Sequence, residues 1–190
     1  TFVVADTAGG LATLTRNDDG AYAPTAWDHD LSWLSAVDAL VVGNGWDDIP
    51  ASLPPDQAPV RLPDMFVTGP EGGALFADAN AGGARDLSAR SGLEDAAGRS
   101  ALWTDIEHDG DLDLVVAGDD GFDVWQNNTD GSFENANESL ATPGAADLMG
   151  VTAFDVDGNG GVDLLGHGAA PGTEVALNRR GGRLAALPAP

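Results

Sequence analysis

Asp105-Ile-Glu-His-Asp-Gly-Asp-Leu-Asp113, running straight into Leu114-Val-Val-Ala117, decides the fold. Acidic side chains stand at relative positions 1, 3, 5, 7 and 9, and Gly110 stands at position 6. Five acids within nine residues repel one another unless a cation joins them. A hard cation such as Ca²⁺ takes roughly six to eight oxygens, and alternate side chains turned inward by a short loop can supply them. Glycine at position 6 permits the left-handed backbone of such a turn. The expected ligands are Asp105, Glu107, Asp109 and Asp113, with the carbonyl of Asp111.

A second copy lies downstream, Asp155-Val-Asp-Gly-Asn-Gly-Gly-Val-Asp163, followed by Leu-Leu. Its expected ligands are Asp155, Asp157, Asn159 and Asp163, with the carbonyl of Gly161. An EF-hand would need a bidentate Glu at position 12 between two helices. Position 12 is Val116 in one loop and Gly166 in the other, and the flanking apolar runs read as strands. Solvated Asp/Gly turns are the plainer reading of one such segment. Two copies in matching context favour two metal loops, each opening a β-strand.

The chain has 190 residues, enough for one sizeable domain, and 43% of them are hydrophobic. Its 26 glycines and 11 prolines imply many turns and short strands. There is no cysteine, so neither disulfides nor thiolate metal sites exist. The formal net charge is −23, and all eight basic residues are arginine. Nucleic acid and anionic membrane surfaces both attract basic faces, so neither is an expected partner. No apolar run reaches the roughly 20 residues that span a bilayer. The first residue is Thr, which reads as a processed, truncated or partial chain.

Internal repeats organise the rest. Leu114-Val-Val-Ala through Phe133 corresponds, with one inserted residue, to Phe2-Val-Val-Ala through Tyr22. Each reads strand, glycine turn, strand, Asn/Asp-Gly turn, then a strand opened by an aromatic. Residues 1–24 are therefore expected to be the later part of a blade. Thr25-Ala-Trp-Asp28 matches Thr152-Ala-Phe-Asp155 and is expected to open a degenerate blade over 25–87. There Asp38-Ala-Leu-Val-Val-Gly43 reads as the counterpart of Asp113-Leu-Val-Val-Ala-Gly118. Asp28, Asp30 and Asp38 then form a worn third loop, a weak metal candidate. Residues 46–71 hold six of the eleven prolines and read as a surface insertion. Asp78, Asn80 and Asp86 share the spacing of positions 1, 3 and 9 but align with a hairpin turn. Two further blades follow over 88–137 and 138–190, each with an intact loop. Asp105 and Asp155 are 50 residues apart, enough for about four short strands per unit.

Asp109-Gly-Asp-Leu-Asp-Leu-Val-Val116, followed by Val124-Trp-Gln-Asn-Asn-Thr-Asp-Gly-Ser-Phe133, resembles FG-GAP/VCBS repeats. Asp86-Leu-Ser-Ala-Arg-Ser-Gly-Leu-Glu-Asp95, leading into Trp103-Thr-Asp-Ile-Glu107, is similar to the ASPIC/UnbV and cartilage-acidic-protein branch. The resemblance implies an all-β fold of β-propeller blades, here about three and a half four-stranded repeats of a larger or jointly completed ring. It also implies Ca²⁺ in the loops, a secreted, surface or periplasmic location, and binding of a protein or glycan ligand. Glu107 departs from the usual Asp or Asn at position 3. An accessory subunit using the 46–71 insertion is a second expectation, and a propeller lyase or hydrolase acting on polysaccharide is a third. His29, His108 and His167 show no metal-ligand spacing, and no nucleophile motif is present, so a non-enzymatic module is expected.

Overall fold

The structure is a computed structural model that describes residues 2–5, 10–26, 31, 33–43, 64–80, 83–144, 147–168, 173–180 and 183–187. A three-stranded sheet comes first: β1 (Phe2–Ala5), β2 (Leu11–Arg16) and β3 (Tyr22–Ala26). The second sheet holds β4 (Ala39–Gly43), β5 (Asp64–Gly69), β6 (Gly72–Asn80) and β7 (Gly83–Asp86). One helical turn, α1 (Ser88–Ser91), leads to β8 (Ser100–Thr104), β9 (Asp113–Gly118), β10 (Gly121–Asn127) and β11 (Phe133–Asn135). A second turn, α2 (Asn137–Leu140), leads to β12 (Leu148–Phe154), β13 (Asp163–Gly168), β14 (Thr173–Asn178) and β15 (Leu184–Ala186). Each sheet is an antiparallel meander in chain order, so the fold is all-β and built of propeller-like blades.

Alternation along the strands stacks the blades. Leu114 and Val116 of β9 face the second blade, while Val115 and Ala117 face the fourth. In β5, Met65 and Val67 face the first blade and Phe66 faces the third. A strand buried on both faces is apolar at every position rather than at alternate ones. Both β5 and β9 are buried along their whole length. Three apolar cores result, one between each pair of successive blades.

The second blade corrects the sequence reading. Asp38-Ala-Leu-Val-Val-Gly43 does not supply an inner strand; Ala39–Gly43 is the outer strand β4, and the inner strand is Asp64–Gly69. Gly43 pairs with Asp64 as Thr104 pairs with Asp113 and Phe154 with Asp163. Asp64-Met-Phe-Val-Thr-Gly69 is thus the true counterpart of Asp113-Leu-Val-Val-Ala-Gly118. The proline-rich insertion therefore does not run over 46–71. Residues 64–69 of that span are core, and Pro70 follows the strand rather than interrupting it. Residues 44–63, between β4 and β5 in the chain, lie outside the described residues. Thr25-Ala26 likewise ends β3 of the first sheet instead of opening a new blade.

The fourth blade repeats the register with its far face uncovered among the described residues. Ile106 is buried, whereas its counterpart Val156 is 42% exposed. Ala136 is buried, whereas its counterpart Leu187 is 44% exposed.

Replacing Phe66, fully buried between the second and third blades, by Ala should cost about 3–5 kcal/mol in denaturant unfolding. Val42→Thr, on the exposed side of β4, should stay within about 0.5 kcal/mol. Equal, small effects would contradict the placement of residues 64–69 in the core.

Candidate metal centre

The two acidic loops join the first and second strands of the third and fourth blades. Strands, not helices, flank both, which removes the EF-hand. Their internal hydrogen bonding matches position by position. Asp105 accepts from the N–H groups of Asp109 and Gly110, both at 3.1 Å. Asp155 accepts from Asn159 at 3.1 Å and from Gly160 at 2.9 Å. The position-1 carboxylate thus shapes the turn by satisfying backbone donors at positions 5 and 6. Position 6 is left-handed in both loops, with φ of 101° at Gly110 and 84° at Gly160. Position 4 is left-handed too, occupied by Gly158 in one loop and by exposed His108 (φ 61°) in the other.

Position 9 holds the deepest carboxylate. Asp113 is fully buried and accepts from Ile106 N–H at 2.9 Å and Asn127 N–H at 3.0 Å. Asp163 is fully buried and accepts from Val156 N–H and Asn178 N–H, both at 2.7 Å. Asp64 occupies the same register in the second blade and is 2% exposed.

Oxygens of Asp105, Glu107 and Asp113 converge within 4.8 Å of one another, as do those of Asp155, Asp157 and Asp163. Asn159 holds its place by donating from Nδ2 to the carbonyl of Asn178 at 2.9 Å, and its Oδ1 accepts from Gly161 N–H at 2.6 Å. Asp109 accepts from Asp111 N–H at 3.3 Å. Glu107 reaches inward on its longer arm because Gln126 Nε2 donates to its Oε1.

Among the described residues, no ion pair neutralises the first loop. Glu107 Oε2 and both carboxylate oxygens of Asp111 are buried without a hydrogen-bond partner. Burial, with Glu107 hydrogen-bonded beside it, pushes the Asp113 carboxyl up to about 8. Burial, followed by the neighbouring Asp109, pushes Asp111 up to about 7. Buried carboxylates without donors fit a cation that supplies positive charge and accepts their lone pairs.

Of the expected site residues, Asp105, Glu107, Asp113, Asp155, Asp157 and Asp163 come together, and Asp109 and Asn159 stand in the same loops. Asp28, Asp30 and His29 lie outside the described residues. Asp38 precedes β4 and donates its backbone N–H to the carbonyl of Thr68 at 2.9 Å, so it is not the loop-ending aspartate of its blade. That role falls to Asp64, which the sequence reading passed over. Its spacing carried the signal: Asp64, Asp113 and Asp163 recur at 49 and 50 residues. Gln126 and Asn178 were also missed.

The opposite end of the blades carries a cleft of about 270 Å³ between the second and third sheets. Asp38, Asp95, Asp119, Asp120 and Asp123 line it together with Arg99. Arg99 pairs with Asp119 and, at 2.6 Å, with Asp147.

Stacked four-stranded meanders with acidic loops between their first two strands define a propeller-type repeat protein. Residues 105–166 match the FG-GAP-like repeat family. The match runs from the first acidic loop through most of β13. No curated protein matches the sequence. Among solved structures, the chain is similar to an Agrocybe aegerita lectin that recognises non-reducing terminal N-acetylglucosamine. The two share 18% identity, with 95% of this chain and 46% of the lectin covered and a TM-score of 0.46. The chain thus spans about half the length of that lectin.

In EDTA, Asp163→Ala should destabilise the protein by about 2–4 kcal/mol in denaturant unfolding, because the buried Asn178 N–H and the part-buried Val156 N–H lose their acceptor. A cost under about 1 kcal/mol would show that the carboxylate serves the metal alone.

Proposed function

We propose that the chain is a calcium-stabilised β-propeller module that binds a protein or glycan and does not transform it. The observation that supports this best is the pair of matching loops in consecutive blades, each closing on a fully buried aspartate. One ion would be held by Asp105, Glu107, Asp109 and Asp113 with the Asp111 carbonyl. The other would be held by Asp155, Asp157, Asn159 and Asp163 with the Gly161 carbonyl. The cation supplies the counter-charge that the loops lack, and so fixes the turn between the first two strands of each blade.

The FG-GAP-like match supports a binding module. Membership of the ASPIC/UnbV branch belongs to the same reading. So does an extracellular, cell-surface or periplasmic location, where calcium is abundant enough for modest-affinity sites. The apolar far face of the fourth blade, with Phe154, Val156 and Leu187 exposed, supports completion of the ring by further blades. The acidic cleft at the opposite end has room for one protruding basic side chain or a comparably small polar group of a ligand.

Calorimetric titration of the full chain with CaCl₂ should show two ions per chain, and Asp105→Asn or Asp155→Asn should each remove one. Calcium at about 100-fold over its dissociation constant should stabilise by about 2.7 kcal/mol per site, with a raised melting temperature that EDTA reverses. A melting temperature indifferent to both calcium and EDTA would overturn the metal reading. Incubation with a panel of polysaccharides should release no new reducing or unsaturated ends; release would move the assignment to a propeller enzyme.

A further inference from the structure

Asn178 stands at the end of β14 with 1% of its surface exposed, and each of its polar groups has a partner. Two groups serve the second loop: its N–H donates to Asp163 Oδ1 at 2.7 Å, and its carbonyl accepts from Asn159 Nδ2 at 2.9 Å. Its side-chain Oδ1 closes a local turn by accepting from Arg180 N–H at 3.2 Å. The remaining group leaves the blade. Asn178 Nδ2 donates to the carbonyl of Ile106 at 2.7 Å, and Ile106 is position 2 of the first loop. The N–H of Ile106 in turn donates to Asp113 Oδ2 at 2.9 Å. A continuous path therefore runs from the Asp113 carboxylate through Ile106 and Asn178 to the Asp163 carboxylate. Every residue on it is at most 1% exposed.

We infer that Asn178 is a positioning residue for both metal loops and couples them, so that filling one loop raises the calcium affinity of the other. This rests on the calcium reading above. The physical basis is a shared ordering cost. An ion in the second loop fixes Asp163 and Asn159, and with them the backbone of Asn178. The fixed carboxamide then holds Ile106, and Ile106 holds Asp113 in its binding position. An ion entering the first loop meets a site that is already ordered, and binding to a pre-ordered site is tighter. Asn127 holds the same register in the third blade. Asn127 donates its N–H to Asp113 at 3.0 Å and its Nδ2 to Leu112 of the same loop at 3.2 Å. The inter-blade reach of Asn178 is what makes two neighbouring loops one unit.

The test is calorimetric calcium titration of the full chain in six forms, the intact chain and Asn178→Ser, each alone and with either of two loop variants. Asp155→Asn disables the second loop at its first ligand, and Asp105→Asn disables the first. With Asn178 intact, each should weaken the surviving site at least about fivefold relative to its affinity in the intact chain, and by the same factor in both directions, because coupling is reciprocal. In an Asn178→Ser background the factor should fall below about twofold. Serine retains a short acceptor for the local turn and cannot reach Ile106. Surviving sites of unchanged affinity in the Asp155→Asn and Asp105→Asn chains would overturn the coupling while leaving two calcium sites standing. Absence of any bound calcium in the intact chain would overturn the metal reading and the coupling together. Should Asn178→Ser fail to fold, the reciprocity of the two loop variants still decides whether the sites are coupled. Coupling that persists undiminished in Asn178→Ser would overturn the role of this side chain.

Discussion

Asp113 and Asp163 each accept two backbone N–H groups from segments far apart in the chain. One comes from position 2 of the preceding loop and the other from the end of the third strand of the same blade. A carboxylate can do this because it offers two oxygens and several lone pairs in one rigid plane. Buried beside an apolar strand, it ties loop, second strand and third strand together at one point. Removing its hydrogen bonds would leave buried donors, the N–H groups of Ile106, Asn127 and Asn178 among them, without these partners. An aspartate, Asp64, recurs buried at the same register in the second blade.

Such a joint concentrates negative charge in a protein that already carries 31 acids against eight arginines. Some of that charge meets arginine at the surface, as where Arg99 bridges Asp119 and Asp147. Among the described residues, no cationic side chain donates a hydrogen bond to the first loop. Gln126 can orient Glu107 but cannot neutralise it, and Asp111 keeps both oxygens without donors. Protons or a divalent cation are the remaining sources of balance, and the raised proton affinity of Asp111 and Asp113 is the same deficit seen from the other side.

Between the joints, stability comes from face-to-face packing. Each inner strand sends alternate residues to the blade before it and the blade after it, so one blade cannot bury its own core. The loops sit at one end of this stack, and the acidic cleft sits at the other.

Much of this was legible in the residues themselves. The spacing of acids and glycine in Asp105–Asp113 and Asp155–Asp163 marks two turns that hold oxygens inward, and the apolar runs after them mark inner strands. The first sheet also follows from pattern alone, since Phe2-Val-Val-Ala repeats Leu114-Val-Val-Ala in the same context. The second blade was not legible in this way. Asp38-Ala-Leu-Val-Val-Gly43 and Asp64-Met-Phe-Val-Thr-Gly69 both look like an aspartate opening an apolar strand. Local periodicity cannot tell an outer strand from an inner one, and only packing against two neighbouring blades selects Asp64–Gly69 as the strand buried on both faces. The reach of Asn178 was equally hidden, because its partner Ile106 lies 72 residues away. Sequence alone determined the repeat and its acidic loops, because those depend on residues adjacent in the chain. Tertiary structure decided which strand fills the core of the second blade and which strand end reaches the neighbouring blade's loop, because both depend on blades meeting across space.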